Sequence, residues 1–299
     1  MKPPSFEYFA PPTLDDALSL LAAHGDDAKI LAGGQSLVPM MNFRLVRPKA
    51  LIDINRVAGL SYIQESNGDL WIGAMTRQRT LERSALVREH NGLLVDGVRL
   101  IGHASIRTRG TIGGSIVHAD PTAEIPAMLA ALDGAVRVAG PSGTRTIGWR
   151  DLFVSYFTTS LASSEICIEV IVPKLKPAAG WGYEEFASRH GDFALVGVAA
   201  IVEADGAGRC TDVRVAIAGV GATPMRAGGA EAFLRGESLT ATAVDEAGRR
   251  VAAEVEPEAD LHASVEYRRH LAGTMATRAL RRAVERVHER RAGAEHRLS

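Results

Sequence analysis

The sequence predicts an α+β protein made of two domains, and three observations support this. Helix-type and strand-type patterns are mixed up to about residue 172, a Pro-, Lys- and Ala-containing segment follows at 173–180, and beyond it three strands precede three helices. Strands followed by helices are typical of an α+β domain. The length of 299 residues and the hydrophobic share of 46% leave room for one large or two ordinary domains.

The net charge, the apolar runs and the cysteines exclude several classes of function. The net charge of −1 gives no field that would attract nucleic acid or a membrane. No window approaches about 18 apolar residues in a row, and no apolar core follows Met1-Lys2-Pro3-Pro4, so we expect neither a membrane span nor a signal peptide. Cys167 and Cys210 lack CxxC spacing, so they predict no metal cluster and favour a reduced, cytoplasmic protein.

The first 56 residues predict a small βαβ-like unit. Thr13 is suited to cap a helix that Gly25 ends, and aspartates in its first turn favour the positive end of the helix dipole. The apolar stripe of this helix consists of Leu14, Ala17, Leu18 and Leu21. Short strands are expected at 28–31 and 51–54.

Residues 57–172 predict hairpins around a set of helices. Asn67-Gly68 is a strong turn signal between strands at 62–64 and 70–73. Helical patterns fill roughly 77–102, and Thr122 is expected to cap a short helix through Leu132. A second hairpin around 140–143 and a long strand at 165–172 complete this region.

The segment 173–180 is interpreted as a linker, because its two prolines and its glycine are typical of one. Beyond it we expect three strands, three helices and a short tail. The strands lie at about 181–188, 194–203 and 211–219, the helices near 226–235, 240–255 and 265–291, and the tail at 292–299.

Two stretches of the first domain each combine adjacent glycines with hydroxyl residues. They are Ala32-Gly33-Gly34-Gln35-Ser36-Leu37 and Thr111-Ile112-Gly113-Gly114-Ser115. Adjacent glycines permit positive φ and let backbone amides approach a ligand closely. Two such loops at one site would hold a pyrophosphate without any lysine, whereas a single Gly-Gly pair is usually only a turn.

The stretches at 32–45 and 111–115 resemble the two FAD loops of the flavin-binding (medium) subunits of molybdenum hydroxylases, of the carbon monoxide dehydrogenase and xanthine dehydrogenase type. The resemblance extends over nearly the whole chain. It implies a two-lobed FAD-binding domain of the PCMH or vanillyl-alcohol-oxidase (VAO) type at 1–175, with lobes of about 1–56 and 57–175. A smaller α+β domain of the CO dehydrogenase flavoprotein type, an antiparallel sheet plus helices, would follow at 181–291.

The resemblance implies that residues 32–37 and 111–115 wrap FAD. It also places Glu124 where related enzymes have an acidic residue that contacts the flavin nucleotide. The alternative for Glu124 is a charge that stabilises a helix N-terminus, and the two interpretations weigh about equally. Asp120, before Pro121, is more simply a turn residue.

Further positions are expected to have structural roles. The stretch 189–194 resembles one that lies near the flavin ring, and Asp192 is expected to hold this loop through backbone hydrogen bonds. Some members carry a lysine near Glu185, so this chain departs from them there. Core packing is expected for Ile171, and ordinary hydrogen bonding for His103 and His118.

Two positions and one region bear on substrate and partners. Gln35 replaces a histidine found in carbon monoxide-oxidising members, and Asn42 stands where they often have lysine, so both argue against carbon monoxide as the substrate. The arginine-rich region 266–299 is interpreted as a solvated helix face, with a docking surface for a partner subunit as the alternative.

The function implied by the resemblance is electron transfer within a molybdenum hydroxylase. A large molybdopterin subunit would oxidise the substrate, a small subunit would relay electrons through two [2Fe-2S] clusters, and the FAD of this chain would pass them to an external acceptor. The complex is expected to be a dimer of heterotrimers, and no catalytic residue or metal ligand is expected in this chain. A self-contained flavin oxidase of the same fold and a flavin-free scaffold subunit remain as alternatives.

Overall fold

The computed structural model describes residues 2–295 and confirms the α+β class. Its first part is a three-stranded parallel sheet in the order β1-β3-β2, which confirms the βαβ-like unit. Thr13 caps α1 by accepting a hydrogen bond from the Asp16 amide at 3.1 Å, and Gly25 ends it with φ +52°. The elements are β1 Glu7–Phe9, α1 Leu14–His24, β2 Ala28–Leu31, α2 Leu37–Asn42 and β3 Ala50–Asp53.

The second part is built on a five-stranded antiparallel sheet in the order β4-β5-β10-β6-β7. Asn67 and Gly68 have φ +53° and +85°, so the predicted hairpin turn is confirmed. The strands are β4 Ile63–Ser66, β5 Asp69–Gly73, β6 Ala135–Gly140, β7 Gly143–Gly148, β8 Phe153–Ser155, β9 Thr158–Thr159 and β10 Ile166–Pro173. The helices are α3 Gln78–Arg83, α4 Ala85–His90, α5 Gly92–Leu100, α6 Ala104–Arg107, α7 Ile112–His118, α8 Glu124–Ala131 and α9 Trp149–Leu152.

Two local predictions in this part are wrong. Thr122 does not cap α8, whose N-cap is Ala123 without a side-chain hydrogen bond. The Thr122 hydroxyl instead donates to Asp120 Oδ1 at 2.7 Å, because an Asp two residues earlier offers a closer turn acceptor. The second Gly-Gly stretch is not a loop, since residues 112–115 form the first turn of α7.

The third part is a four-stranded antiparallel sheet in the order β11-β12-β13-β14 with three helices after it. Three of the strands and the three helices were predicted, whereas the two-residue strand β14 was not. Helix α12 packs on one face of this sheet, and α5 and α8 pack on the other. Tyr183, Ala199, Ile201 and Ala216 therefore share a core with the second part. The elements are β11 Gly180–Phe186, β12 Val196–Ala204, β13 Cys210–Ala218, β14 Met225–Arg226, α10 Gly228–Leu234, α11 Ala241–Glu254 and α12 Val265–Glu295.

Helix α12 continues to Glu295, past the predicted end at 291, and residues 296–299 of the predicted tail lie outside the described residues. Within residues 2–295, no helix combines the length and the apolar character that crossing a membrane requires.

Candidate functional site

The first Gly-Gly stretch connects β2 to α2 and lies directly on the backbone of residues 109–110. A Cβ on Gly33 would overlap the Arg109 carbonyl oxygen and lie 2.8 Å from Gly110 Cα. Gly34 has φ +70°, in the left-handed region that favours glycine. Each residue therefore has its own reason to be glycine, namely close approach for Gly33 and backbone conformation for Gly34.

This stretch leaves backbone donors free. Among the described residues, the N–H groups of residues 33–36 donate to no protein acceptor. The side chain of Gln35 turns inward, where Nε2 donates to the Gly33 carbonyl oxygen at 3.0 Å. Four successive amides without a protein partner can donate to an anion, and the residues around them are half-buried.

Residues 112–115 of the second stretch all donate their backbone N–H groups within the protein. The Thr111 hydroxyl caps α7 by accepting from the Gly114 amide at 3.1 Å, and the Gly113 amide donates to the Ala74 carbonyl oxygen at 2.9 Å. A Cβ on Gly113 would lie 2.6 Å from that of Ala74, so this glycine is needed for packing. Thr111, Ile112 and Gly113 are buried, which leaves Gly114 and Ser115 as the half-buried face of the turn.

The two stretches meet. A Cβ built on Gly114 would lie 3.7 Å from the Cβ of Ala32. Gly33 rests on Gly110, which immediately precedes Thr111. The structure thus brings residues 32–37 and 111–115 to one place, although they are separated by more than seventy residues of sequence.

A polar network that sequence reasoning missed ties the stretches together. Asn55 Nδ2 donates to the Ala32 carbonyl oxygen at 2.8 Å, and Asn55 Oδ1 accepts from Arg77 Nη2 at 2.5 Å. The other arm of Arg77 donates to the Arg109 carbonyl oxygen. Burial, followed by the nearby guanidinium of Arg109, lowers the pKa of Arg77, which nevertheless stays a cation.

Asp53 anchors this network. Its Oδ1 accepts from the Asn55 amide at 2.9 Å and its Oδ2 from the Tyr8 hydroxyl at 2.5 Å. Burial raises the pKa of Asp53, but the hydrogen bonds from Tyr8 and Asn55 outweigh it and the net pKa is lowered. The sequence held a signal for this network, because Asp53 ends β3 and Asn55 follows it at the carboxyl edge of a parallel sheet, where ligand sites are common.

Glu124 lies at the start of α8, with five residues between it and the end of α7, and only 9% of its surface is exposed. Burial, and then the nearby carboxyl of Glu185, raise the pKa of Glu124 to about 8. The predicted helix-end role of Glu124 is consistent with its position, but an uncharged carboxyl gains little from the helix dipole. Asp120 Oδ1 accepts from the Thr122 amide at 2.9 Å, as expected of a turn residue.

The loop at 189–194 reaches across to the second part of the chain. The Cα of Gly191 lies against the ring of His103, since a Cβ there would lie 2.5 Å from Cε1, and φ is +88°. The Asp192 backbone N–H, and not its exposed side chain, closes the turn by donating to the Arg189 carbonyl oxygen at 3.1 Å. Phe193 is 71% exposed beside it.

The other positions named in the sequence analysis, His118, Ile171 and Asn42, are all half-buried. Burial lowers the pKa of His118, whose ring centroid lies 5.2 Å from that of Phe157. Ile171 is half-buried in β10, opposite Trp71 of the neighbouring strand. Asn42 ends α2 and is half-buried.

The described part of the arginine-rich region is bound within the chain at several points. Arg286 and Arg290 lie over the ring of Trp181, with guanidinium carbons 4.6 and 4.5 Å from its centroid. Arg268 Nη2 donates to Asp260 Oδ2 at 2.6 Å. These contacts hold α12 to neighbouring segments, while Arg269, Arg278, Arg281 and Arg282 are exposed, so one side of the helix is solvated as expected.

Two family matches cover nearly the whole chain and define its class. Residues 4–175 match the FAD binding domain in molybdopterin dehydrogenase, and residues 181–283 match the CO dehydrogenase flavoprotein C-terminal domain. The chain therefore belongs to the family of FAD-binding medium subunits of molybdenum hydroxylases.

Individual relatives and solved structures agree with this membership. The chain is 41% identical to 6-hydroxypseudooxynicotine dehydrogenase complex subunit alpha of Paenarthrobacter nicotinovorans, over 99% of this chain and 100% of the relative. It is 38% identical to the carbon monoxide dehydrogenase medium chain of Hydrogenophaga pseudoflava, over 94% and 97%. A solved structure of carbon monoxide dehydrogenase from that organism superposes with a TM-score of 0.93 at 40% identity, covering 96% of this chain and 99% of that one.

Proposed function

We propose that this chain is the FAD-binding electron-transfer subunit of a cytoplasmic molybdenum hydroxylase complex. It would take electrons from [2Fe-2S] clusters of a small partner subunit and pass them to an external acceptor, while a large molybdopterin subunit oxidises the substrate. The assembly would be a dimer of heterotrimers. The observation that carries the proposal is the set of four free amides at residues 33–36, held against the turn at 111–115.

The residues present fit FAD. The free amides of residues 33–36 suit an anionic pyrophosphate, and Arg77 adds a fixed positive charge behind them. We assign Ala32–Leu37 and Thr111–Ser115 as the two stretches that hold FAD, with the buried residues of the second stretch acting through packing and Gly114 and Ser115 facing the ligand. We assign Glu124 to the flavin end of the site. It is the first residue of α8, after the connection that follows α7.

When bound, FAD supplies the electron-accepting and electron-donating chemistry. The chain's own residues bind and orient it. Asn55 and Arg77 hold the two stretches at a fixed separation, so that the amides are in place before the ligand arrives. Relatives serve complexes named for carbon monoxide, nicotine and caffeine, so substrate choice is assigned to a different subunit.

The first test is the flavin content of the purified chain. Acid precipitation should release FAD into the supernatant, because no covalent attachment is expected. Flavin that stays in the precipitate, or FMN in place of FAD, would contradict the proposal. A chain with intact structure and no affinity for FAD would favour the scaffold alternative.

The second test separates a subunit from a self-contained oxidase. Under anaerobic conditions, dithionite should bleach the flavin of the isolated chain, whereas organic substrate should bleach it only after both partner subunits are added. Bleaching by substrate alone would assign the chain to the oxidase class.

A further inference from the structure

Two carboxyl groups and a tyrosine hydroxyl lie where the third part of the chain packs on the second: Tyr183 and Glu124 are buried, and Glu185 is half-buried. Strand β11 alternates its side chains between the two faces of its sheet. Tyr183 shares the core with α5 and α8, and Glu185, two residues later, points to the same face. Glu184 points the opposite way, where it pairs with Arg282 of α12 at 3.5 Å. Glu124 approaches from the first turn of α8.

Two oxygens of this cluster lack a hydrogen-bond partner. Within residues 2–295, the buried Tyr183 hydroxyl and Glu185 Oε2 make no hydrogen bond, whereas the Glu124 carboxyl accepts one from its own backbone N–H. Gly197 leaves room for the hydroxyl, because a Cβ there would lie 2.6 Å from it. Buried carboxylates without a partner are costly, so these groups cannot all be charged at neutral pH.

The surrounding charges do not compensate. Asp120, in the connection before α8, adds a further negative charge and raises the pKa of Glu124. The cations of the neighbouring elements are engaged elsewhere. Arg226 of β14 donates to the Ala130 carbonyl oxygen at the far end of α8, Arg214 of β13 pairs with Asp212, Arg268 of α12 pairs with Asp260, and Arg286 of α12 pairs with Asp96 of α5. Arg189 and His190, after β11, and Arg99 of α5 are exposed, and His118 of α7 is half-buried.

The ionisation of each group depends on the others. Burial raises the pKa of Glu185 to about 7, and burial together with Glu185 raises that of Glu124 to about 8. Burial, then Glu124 and Glu185, raise the pKa of the Tyr183 hydroxyl. Carboxyl groups that interact this way lose their protons in two steps that belong to the pair.

We propose that Glu124, Glu185 and the Tyr183 hydroxyl form a buried proton-binding site, and that its charge makes the reduction potential of bound flavin more dependent on pH. The effect on the flavin potential rests on the proposed function. As pH rises, the pair releases protons to solvent and becomes negative. A negative charge near a redox group disfavours the addition of electrons, so the potential falls more steeply across this pH range. The electrons that reduce the flavin come from its electron donor, and Glu124 and Glu185 only gain or lose protons.

The first experiment measures the protons directly. Infrared spectroscopy of the whole chain should show the C=O stretch of a protonated carboxyl at pH 6, which disappears in two steps as pH rises past about 8. Glu124→Gln and Glu185→Gln should each leave one step, and Glu185→Gln should move the remaining step to lower pH. Glu184→Gln is the matched control, one residue away on the opposite face, and should keep both steps. Absence of the protonated band in the wild-type chain would overturn the proposal.

The second experiment measures the flavin. The midpoint potential of the FAD-loaded chain should fall more steeply with pH between about 6 and 9 in the wild type and in Glu184→Gln than in Glu185→Gln. Equal slopes in all three would overturn the coupling to flavin. A chain that binds no FAD would overturn the proposed function instead, and the infrared experiment would still decide the proton site. Tyr183→Phe removes an unbonded hydroxyl and provides a folded variant if a glutamine variant does not fold.

Discussion

Replacement of Gly33 by alanine tests whether the close approach of the two glycine-containing stretches creates the flavin site. The φ of Gly33 lies outside the left-handed region, so the backbone itself accepts alanine. The new Cβ would overlap the Arg109 carbonyl oxygen and lie 2.8 Å from Gly110 Cα, whereas ordinary contacts begin at 3.4 Å. The first stretch must therefore move away from the second by a substantial fraction of an ångström.

The size of the effect follows from this overlap. Overpacking of a well-packed position typically costs about 1–3 kcal/mol. The displacement acts on the free amides of residues 33–36, so much of this cost should appear in FAD binding. A loss of about 1.4–2.8 kcal/mol corresponds to about 10–100-fold weaker affinity. The fold should survive, because domains typically have about 5–15 kcal/mol of stability.

The assay is a fluorescence titration of the flavin-free chain with FAD, accompanied by thermal unfolding. Gly206→Ala is the matched control, since its φ is also outside the left-handed region and a Cβ there would meet nothing within 4 Å. The control should bind FAD like the wild type. If Gly33→Ala also bound FAD within twofold of the wild type at unchanged stability, the contact between the stretches would have no part in binding.

Three further predictions concern the network, the buried acid and the domain boundary. Arg77→Lys should weaken FAD binding by about tenfold, because lysine lacks the planar fork that joins Asn55 to the Arg109 carbonyl oxygen; the same titration checks this, and Arg79→Lys is the control. Glu124 has a folded pKa of about 8, above that of an unfolded chain, so the folded state holds an extra proton and stability falls as pH rises toward 8. Urea unfolding should therefore show the wild type losing about 2 kcal/mol more than Glu124→Gln between pH 6 and 8, and equal losses would contradict the assigned pKa. We propose that the boundary between domains at 1–175 and 181–291 lies in the segment 173–180, so subtilisin should cut first at the exposed residues 176–178, and a preferred cut within 116–170 would refute this.

Local signals predicted the elements that local chemistry determines. Thr13 and Gly25 bound α1, and Asn67-Gly68 makes the β4–β5 turn, because capping and left-handed φ depend only on nearby residues. The helix α7 was missed for a physical reason. Gly113 and Gly114 disfavour a helix by propensity, but the contact of Gly113 with Ala74 makes glycine necessary within the first turn.

The candidate site was predictable in part. The glycine pairs indicated both stretches. The sequence did not show which stretch keeps its amides for a ligand, because this depends on which amides already have protein partners. Residues 33–36 keep free donors, whereas Gly113 and Gly114 donate to Ala74 and Thr111. The role of Arg77 could not be predicted either, because it donates to the Arg109 carbonyl oxygen and to Asn55 Oδ1, which are remote from it in sequence.

The placement of the buried acids depends on glycines that serve another purpose. Gly180 and Gly182 alternate along β11, and a Cβ on either would overlap the backbone of α12 at Ala283 or Ala279. These glycines let α12 lie directly on the sheet, and so they determine which face of β11 it covers. The intervening side chains must then point to the other face, toward α5 and α8. Glu185 is consequently placed on the α5 and α8 face of the sheet by the packing of a helix on the opposite face, and the pattern of charges in the sequence does not reveal that cause.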